Sequence, residues 1–318
     1  MLAGEYAVLE GHPCIAATVE SAMTIRVQER RVGITLSSDL WDDQVSFESG
    51  HDDEPNQPFS QAASFGARLF ELPGFAAHVD TGLCTTTGFG SSSAIRLGLL
   101  IALHSLKHRT PSSQEACWAM GKHAFQLQKS QQKIASGYDL ATQLSGGLVH
   151  IQPTAEWPGK VTRLCPPEIA DSWLHFWRGG RGNPTGATIH STTEFLKRTD
   201  GYEAFIQQMN RLVETLKNRL LGAMDLSYVI REAATCRMMM EPCPDFPTGL
   251  ATGLKSLPGV DQTWTFKTTG AGGEDALLLI GEEHHLAPAF QYLRDHHWEP
   301  LGSCLKDQTC HVEVSNLS

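Results

Sequence analysis

The sequence has no C-x-x-C pair, no apolar run long enough to span a bilayer, no excess of basic charge and no internal repeat. Each absence closes off a class of protein. The eight cysteines (Cys14, Cys84, Cys117, Cys165, Cys236, Cys243, Cys304 and Cys310) are scattered, so they predict reduced thiols of a cytoplasmic protein, not a zinc ribbon or a disulfide framework. A membrane helix needs about 20 apolar residues, and the chain shows neither that nor a leader peptide. We therefore expect no membrane partner. The net charge of -10 excludes a general nucleic-acid binder, which needs a basic face. It does not exclude anionic substrates, because a few local cations or backbone N–H groups hold them. The pairs His284–His285 and His296–His297 lie among acidic and polar residues and read as surface histidines.

What is present fits a globular enzyme of ordinary build. The chain has 318 residues, 41% hydrophobic and 19% charged, enough to bury one large core or two. Residues 14–36 alternate like strand and hairpin, 37–58 read as a polar loop, and 60–71 have helical spacing. A strand is expected near 77–83, then helices over 93–107 and 112–129 and a strand over 148–153. Residues 153–167 read as an exit toward a second lobe. There, a Trp-rich strand (172–177), a helical region (190–240), two strands around 262–267 and 276–280, a helix (285–295) and a terminal strand (309–314) are expected. Strands followed by helices in each half predict an α+β protein with two lobes.

Three segments carry chemistry. The first, Thr85 to Ile95, holds Gly88, Phe89, Gly90 and the consecutive Ser91, Ser92 and Ser93 directly before an apolar helix. Glycines let backbone N–H groups converge on a ligand, and a helix N-terminus adds orphan donors and partial positive charge. The alternative is a serine-capped helix after a flexible loop. The P-loop pattern G-x-x-x-x-G-K is absent. The second segment, Thr268 to Asp275, carries Gly270, Ala271, Gly272 and Gly273 between two strands. It reads as a backbone nest beside a nucleotide or as a plain hairpin turn. The third runs from Lys133 to Ala141 and contains Ser136, Gly137 and Asp139, where Asp139 alone reads as a helix cap.

Taken together, these segments resemble the GHMP kinases, the superfamily of galactokinase, homoserine kinase, mevalonate kinase and phosphomevalonate kinase. The opening motif is matched by Gly4-Glu5-Tyr6-Ala7-Val8-Leu9-Glu10-Gly11-His12-Pro13, the G-L-G-S-S-A loop by Gly88-Phe89-Gly90-Ser91-Ser92-Ser93-Ala94, and the T-G-A-G-G-G loop by Thr269-Gly270-Ala271-Gly272-Gly273. All three occur in the family's order, over nearly the whole chain. The K-I-G-S-G-F-D-V-A pattern of phosphomevalonate kinases reads here as Lys133-Ile134-Ala135-Ser136-Gly137-Tyr138-Asp139-Leu140-Ala141, which makes those kinases the nearest match.

The resemblance implies a two-lobed fold, with a ribosomal protein S5 domain 2-like N-terminal lobe (1–160) that binds nucleotide and a ferredoxin-like C-terminal lobe (161–318). It implies ATP and Mg²⁺ as cofactors. The implied partner is a small anionic metabolite, phosphomevalonate or mevalonate, with the protein a monomer or homodimer. Nucleotide falls to Gly88, Phe89, Gly90, Ser91, Ser92 and Ser93, and the metal to Ser92. The acceptor falls to Glu5, Tyr6, Lys133, Ser136, Gly137, Gly270, Ala271, Gly272 and Gly273, with Arg181 a further candidate cation. Asp139 matches the family's active-site aspartate. Departures are Phe89 for Leu, Ser93 for Ala and Glu274 for Gly. Family members also carry an A-P-G-K strand just before the opening motif. Met1 stands directly after that place, so the resemblance leads us to expect either a preceding strand and lysine that this sequence does not include, or a weakened or non-catalytic nucleotide-binding relative.

Overall fold

Two strands of the early chain pair in parallel, which requires a crossover, and an amphipathic helix supplies it. The computed structural model describes residues 1–18, 23–39, 45–47, 58–81, 90–131, 135–164, 170–180, 185–270, 272–273 and 276–301. After a short 3-10 turn (Ala7–Glu10), the described elements in chain order are β1 (Cys14–Ala17), β2 (Met23–Glu29), β3 (Gly33–Ser38), β4 (Val45–Phe47), α1 (Pro58–Leu69), β5 (Gly74–Thr81), α2 (Ser91–His108), α3 (Gln114–Gln131), α4 (Tyr138–Ser145), β6 (Leu148–Gln152) and β7 (Lys160–Arg163). There follow β8 (Leu174–Arg178), α5 (Thr185–Arg198), α6 (Tyr202–Leu220), α7 (Leu226–Met240), α8 (Thr248–Lys255), β9 (Trp264–Thr268), β10 (Ala276–Gly281), α9 (Glu283–Asp295) and β11 (Glu299–Pro300). No described helix is long and apolar enough to cross a membrane.

The chain condenses into two units that interleave along the sequence. The first holds residues 1–18 and the described residues from 145 onward; the second holds those between 23 and 144. In the second unit the sheet order is β2-β5-β3-β4. β3 and β5 are parallel, with Ile34 opposite Phe75, and α1 lies in the connection between them. Helix α1 buries Phe59, Ala62, Ala63 and Ala67, and α2 buries a ridge from Ile95 through Leu103. Each fully buried Leu or Phe stabilises such a core by about 1.5–3 kcal/mol. Helix α2 is a strong helix former over its apolar run, and it stops at Arg109, whose φ of 55° is left-handed. Lys107 and His108 in its last turn complement the helix dipole. The residues expected to be a polar loop, 37–58, contain the short strand β4, paired through Ser46 and Thr35.

In the first unit β1, β6 and β7 form one antiparallel sheet in the order β1-β6-β7. A second antiparallel sheet has the order β11-β8-β10-β9. Helices lie between β8 and β9 and between β10 and β11, and β9–β10 is a hairpin. That is the βαββαβ arrangement of a ferredoxin-like lobe, as expected. Trp173, Trp177, Trp264 and Phe266 fill its core. The helical region expected over 190–240 is broken at Asp200–Gly201 and again before Leu226. The terminal strand expected at 309–314 lies outside the described residues. Four cysteines (Cys14, Cys117, Cys236 and Cys243) are buried, and the other four lie outside the described residues.

Three histidines make stability depend on pH. His104, His150 and His175 are held below the ordinary value of 6.5, in each case chiefly by burial. His108 reinforces the shift at His104, Lys217 reinforces it at His150, and Glu283 opposes it at His175. As pH falls below about 6.5 the unfolded chain takes up these protons before the folded chain does. The stability present above that pH is then lost as pH drops through the lowered folded values. The urea midpoint should be level just above neutrality and fall below about pH 6.5. A midpoint that stays level down to pH 5 would refute this.

Candidate active site

The second glycine-rich motif becomes the N-terminus of α2. Gly90 is the N-cap, with φ 75° and ψ 25°, and no side chain caps the helix. An L side chain is strained at that φ, and a Cβ there would lie 3.6 Å from Asp139 Cβ and 3.3 Å from Gln143 Nε2. Glycine therefore both forms the turn and lets α4 approach. The Gly90 carbonyl accepts from the N–H groups of Ser93 (3.1 Å) and Ala94 (2.9 Å) and from Gln143 Nε2 (3.1 Å). Ser92 is exposed and Ser93 is buried. A helix N-terminus without a capping side chain leaves its first N–H groups to an anion.

Asp139 sits in the first turn of α4 and is half-buried. Ser93 Oγ donates to its Oδ2, and the N–H of Leu140 donates to its Oδ1 at 3.0 Å. Both carboxylate oxygens act as acceptors, and the Ser93 bond fixes Asp139 against the first turn of α2. Gly137, in front of it, has φ 65°, and the Gly137 carbonyl accepts from Ala141 N–H at 3.2 Å. Ser136 is half-buried beside it. The second unit thus joins Gly90, Ser91, Ser92, Ser93, Ser136, Gly137 and Asp139 within one stretch of structure.

The first and third motifs meet in the first unit. Gly4 has φ 99°, and a Cβ on it would come 2.6 Å from Cys14 Cβ, so the opening motif requires glycine there to lie against β1. Tyr6 is held at φ 63° with its ring buried edge-to-face on Phe205. Glu5 accepts a hydrogen bond from Lys267 Nζ, which also donates to Thr268 O at 2.8 Å. Both ends of this ion pair are 4% exposed. Glu5 Oε2 has no hydrogen-bond partner among the described residues. Glu5, Tyr6, Lys267, Gly270 and Gly272 line one small cleft. Gly270, Gly272 and Gly273 all have positive φ, at 66°, 84° and 156°, in the loop joining β9 to β10. Tyr6, Cys236 and Arg237 also line the cleft. Burial drives the Tyr6 hydroxyl far above its ordinary value and pushes the Cys236 thiol up to about 12.

Gly88, Phe89, Lys133, Arg181, Ala271 and Glu274 lie outside the described residues. The sequence reading missed two charged residues. One is Lys267, the charged member of a strand whose every residue is buried. The other is Arg96, 3% exposed on α2. Each was signalled by a lone cation inside an apolar run. His284 is exposed and His285 half-buried, with Glu282, His284 and His285 bringing one ligand atom each within 4.8 Å of the others.

No model of a protein family matches the sequence, and no curated protein is similar to it in sequence. Solved structures are similar in fold. The Streptococcus pneumoniae phosphomevalonate kinase, in complex with phosphomevalonate and AMPPNP, has a TM-score of 0.71 at 17% identity, over 94% of this chain and 95% of that one. The Methanococcus jannaschii mevalonate kinase has a TM-score of 0.71 at 16% identity, over 94% and 93%. The Lactococcus lactis galactokinase, complexed with galactose, has a TM-score of 0.69 at 12% identity, over 97% and 91%. With its ferredoxin-like sheet and the uncapped helix α2, this chain has the GHMP kinase fold.

Proposed function

We propose that the protein is an ATP-dependent kinase that transfers the γ-phosphoryl group of ATP to a small anionic metabolite, phosphomevalonate, giving diphosphomevalonate and ADP. The observation that carries this reading is the hydrogen bond from Ser93 of the uncapped α2 terminus to Asp139. It puts a carboxylate beside a ready anion site, the pairing that phosphoryl transfer uses to orient an acceptor toward a phosphate. The finer choice of acceptor rests on the segment from Lys133 to Ala141, because the similar structures include kinases of different acceptors.

The residues present fit the implied cofactors. The α2 N-terminus with Gly90, Ser91, Ser92 and Ser93 is suited to nucleotide phosphates, together with Gly88 and Phe89 of the same motif. The Ser92 hydroxyl offers a hard oxygen donor of the kind that Mg²⁺ prefers. Bound Mg²⁺ supplies charge neutralisation on the transferring group. In the reaction an acceptor oxygen bonds to the γ-phosphorus as the bond to the β–γ bridging oxygen breaks. A phosphate acceptor is already ionised near neutrality, so Asp139 orients it and need not take a proton. A hydroxyl acceptor would give its proton to Asp139. Lys133, Ser136 and Gly137 are assigned to the acceptor, as are Glu5, Tyr6, Gly270, Ala271, Gly272 and Gly273. The division at 160/161 into nucleotide-binding and C-terminal lobes belongs to the same proposal.

Coupled ADP release with phosphomevalonate, mevalonate and galactose tests the reading. Turnover with phosphomevalonate is expected to dominate. Turnover with mevalonate alone would replace the acceptor, and AMPPNP binding without turnover on any of the three would remove the enzyme.

A further inference from the structure

Arg96 is a buried cation with too few partners. It is 3% exposed on α2. Its Nη2 donates to Gln131 Oε1 at the end of α3, while Nε and Nη1 have no partner among the described residues. Arg237, also buried, has carboxylates on both sides of its guanidinium, with Glu241 Oε1 3.1 Å from its Nε. Its guanidinium is bidentate on Asp261, at 3.2 and 2.6 Å, and stacks on Phe266 at 4.4 Å. An uncompensated buried guanidinium costs several kcal/mol, so one is retained where something else satisfies it.

Its place on the helix shows what that is. Arg96 follows Ser92 by four residues and Ser93 by three, and so shares their helix face. Long helical side chains lean toward the N-terminus, here toward Gly90 and the uncapped first turn. Burial lowers the guanidinium's pKa, and the negative charge of Asp139 opposes that shift. Asp139 is itself tied to Ser93. The arginine, the aspartate and the helix terminus therefore belong to one electrostatic cluster, and arginine remains charged there.

We propose that Arg96 is an anion-binding residue of this site, whose unpartnered guanidinium donors hold a negatively charged phosphate oxygen of the bound ligand beside Asp139. This rests on the kinase reading and deepens it by naming the cation. The phosphate is either an outer phosphate of the nucleotide or that of the acceptor. Charge-assisted hydrogen bonds of this kind contribute selectively to ligands that carry the anion.

Calorimetric binding of AMPPNP, AMP and phosphomevalonate to the wild type, Arg96→Met and Arg96→Lys decides it. Arg96→Met should keep or raise the unfolding temperature of the ligand-free protein, since it removes an unsatisfied charge at similar volume. It should weaken the phosphate-bearing ligand by about 10- to 100-fold. Loss for AMPPNP with AMP unchanged assigns the oxygen to the nucleotide's outer phosphates, and loss for phosphomevalonate assigns it to the acceptor. Arg96→Lys, which keeps the charge but not the fork, should fall between. A lowered unfolding temperature with unchanged affinity for all three ligands overturns the inference and leaves the kinase reading standing. A wild type that binds none of them overturns the kinase reading and the inference with it. Should Arg96→Met not fold, Arg96→Lys decides, and wild-type affinities in that variant overturn the inference.

Discussion

Asp139→Asn is expected to lower turnover by about 100-fold with a phosphate-bearing acceptor, where the carboxylate orients the reacting oxygen. With a hydroxyl acceptor the loss should reach about 10⁴-fold, because the same group then also takes the proton. AMPPNP affinity should stay within a few-fold of wild type. Asparagine keeps an oxygen that accepts from Ser93 Oγ, so the fold around α4 should persist, and the unfolding temperature checks that directly. The ratio of the two losses reports the acceptor chemistry independently of which substrate turns over fastest. Activity near wild type with both acceptors would remove Asp139 from the site.

Glu5→Ala is expected to destabilise the protein by about 3–5 kcal/mol, because the Lys267 ammonium would stay buried without its counter-charge. Both side chains are 4% exposed, so water does not screen the loss. Lys267→Met should cost a similar amount by leaving the Glu5 carboxylate alone. The double variant Glu5→Leu/Lys267→Met should recover most of the stability, since a buried pair is often no better than well-packed apolar side chains. Urea unfolding of the four proteins gives the coupling directly. Single variants that each cost under about 1 kcal/mol would show that the pair is hydrated. A double variant that recovers stability but not acceptor binding would separate the acceptor-binding role proposed for Glu5 from its structural one.

The fold was legible wherever local pattern and burial agree. Helix α2 was readable because consecutive serines precede an apolar run, and the structure places it within two residues of the expected bounds. The β9–β10 hairpin was readable because two fully buried strands flank a glycine-rich loop. Other elements left little local trace. Strand β7 pairs with β6 and with no other strand among the described residues, and it is largely exposed, so Lys160 to Arg163 look like surface loop. Helix α8 contains Gly249 and Gly253, both poor helix formers. Gly253 is there for a tertiary reason: a Cβ on it would lie 1.8 Å from Tyr292 Oη, so α9 dictates the residue. The site shows the same limit. The Gly/Ser-rich residues before α2 announce themselves by composition, but Glu5 and Lys267 stand 262 positions apart in sequence. Nothing local to either residue names the other.

The opening motif has a consequence for how the chain is made. Strand β1 pairs with β6, and Thr18 exchanges hydrogen bonds with Gly147, 129 positions later. During synthesis Cys14–Ala17 emerge well before Leu148–Gln152; until then only the local bridge between Ala3 and Ile15 is available to them. The whole second unit is made in the interval and can collapse on its own contacts, shortening the loop that must close. The segment bearing Glu5 and Tyr6 is therefore synthesised well before β6, which completes the sheet beside it. High contact order of this kind slows folding, and here it falls on the residues assigned to the ligand.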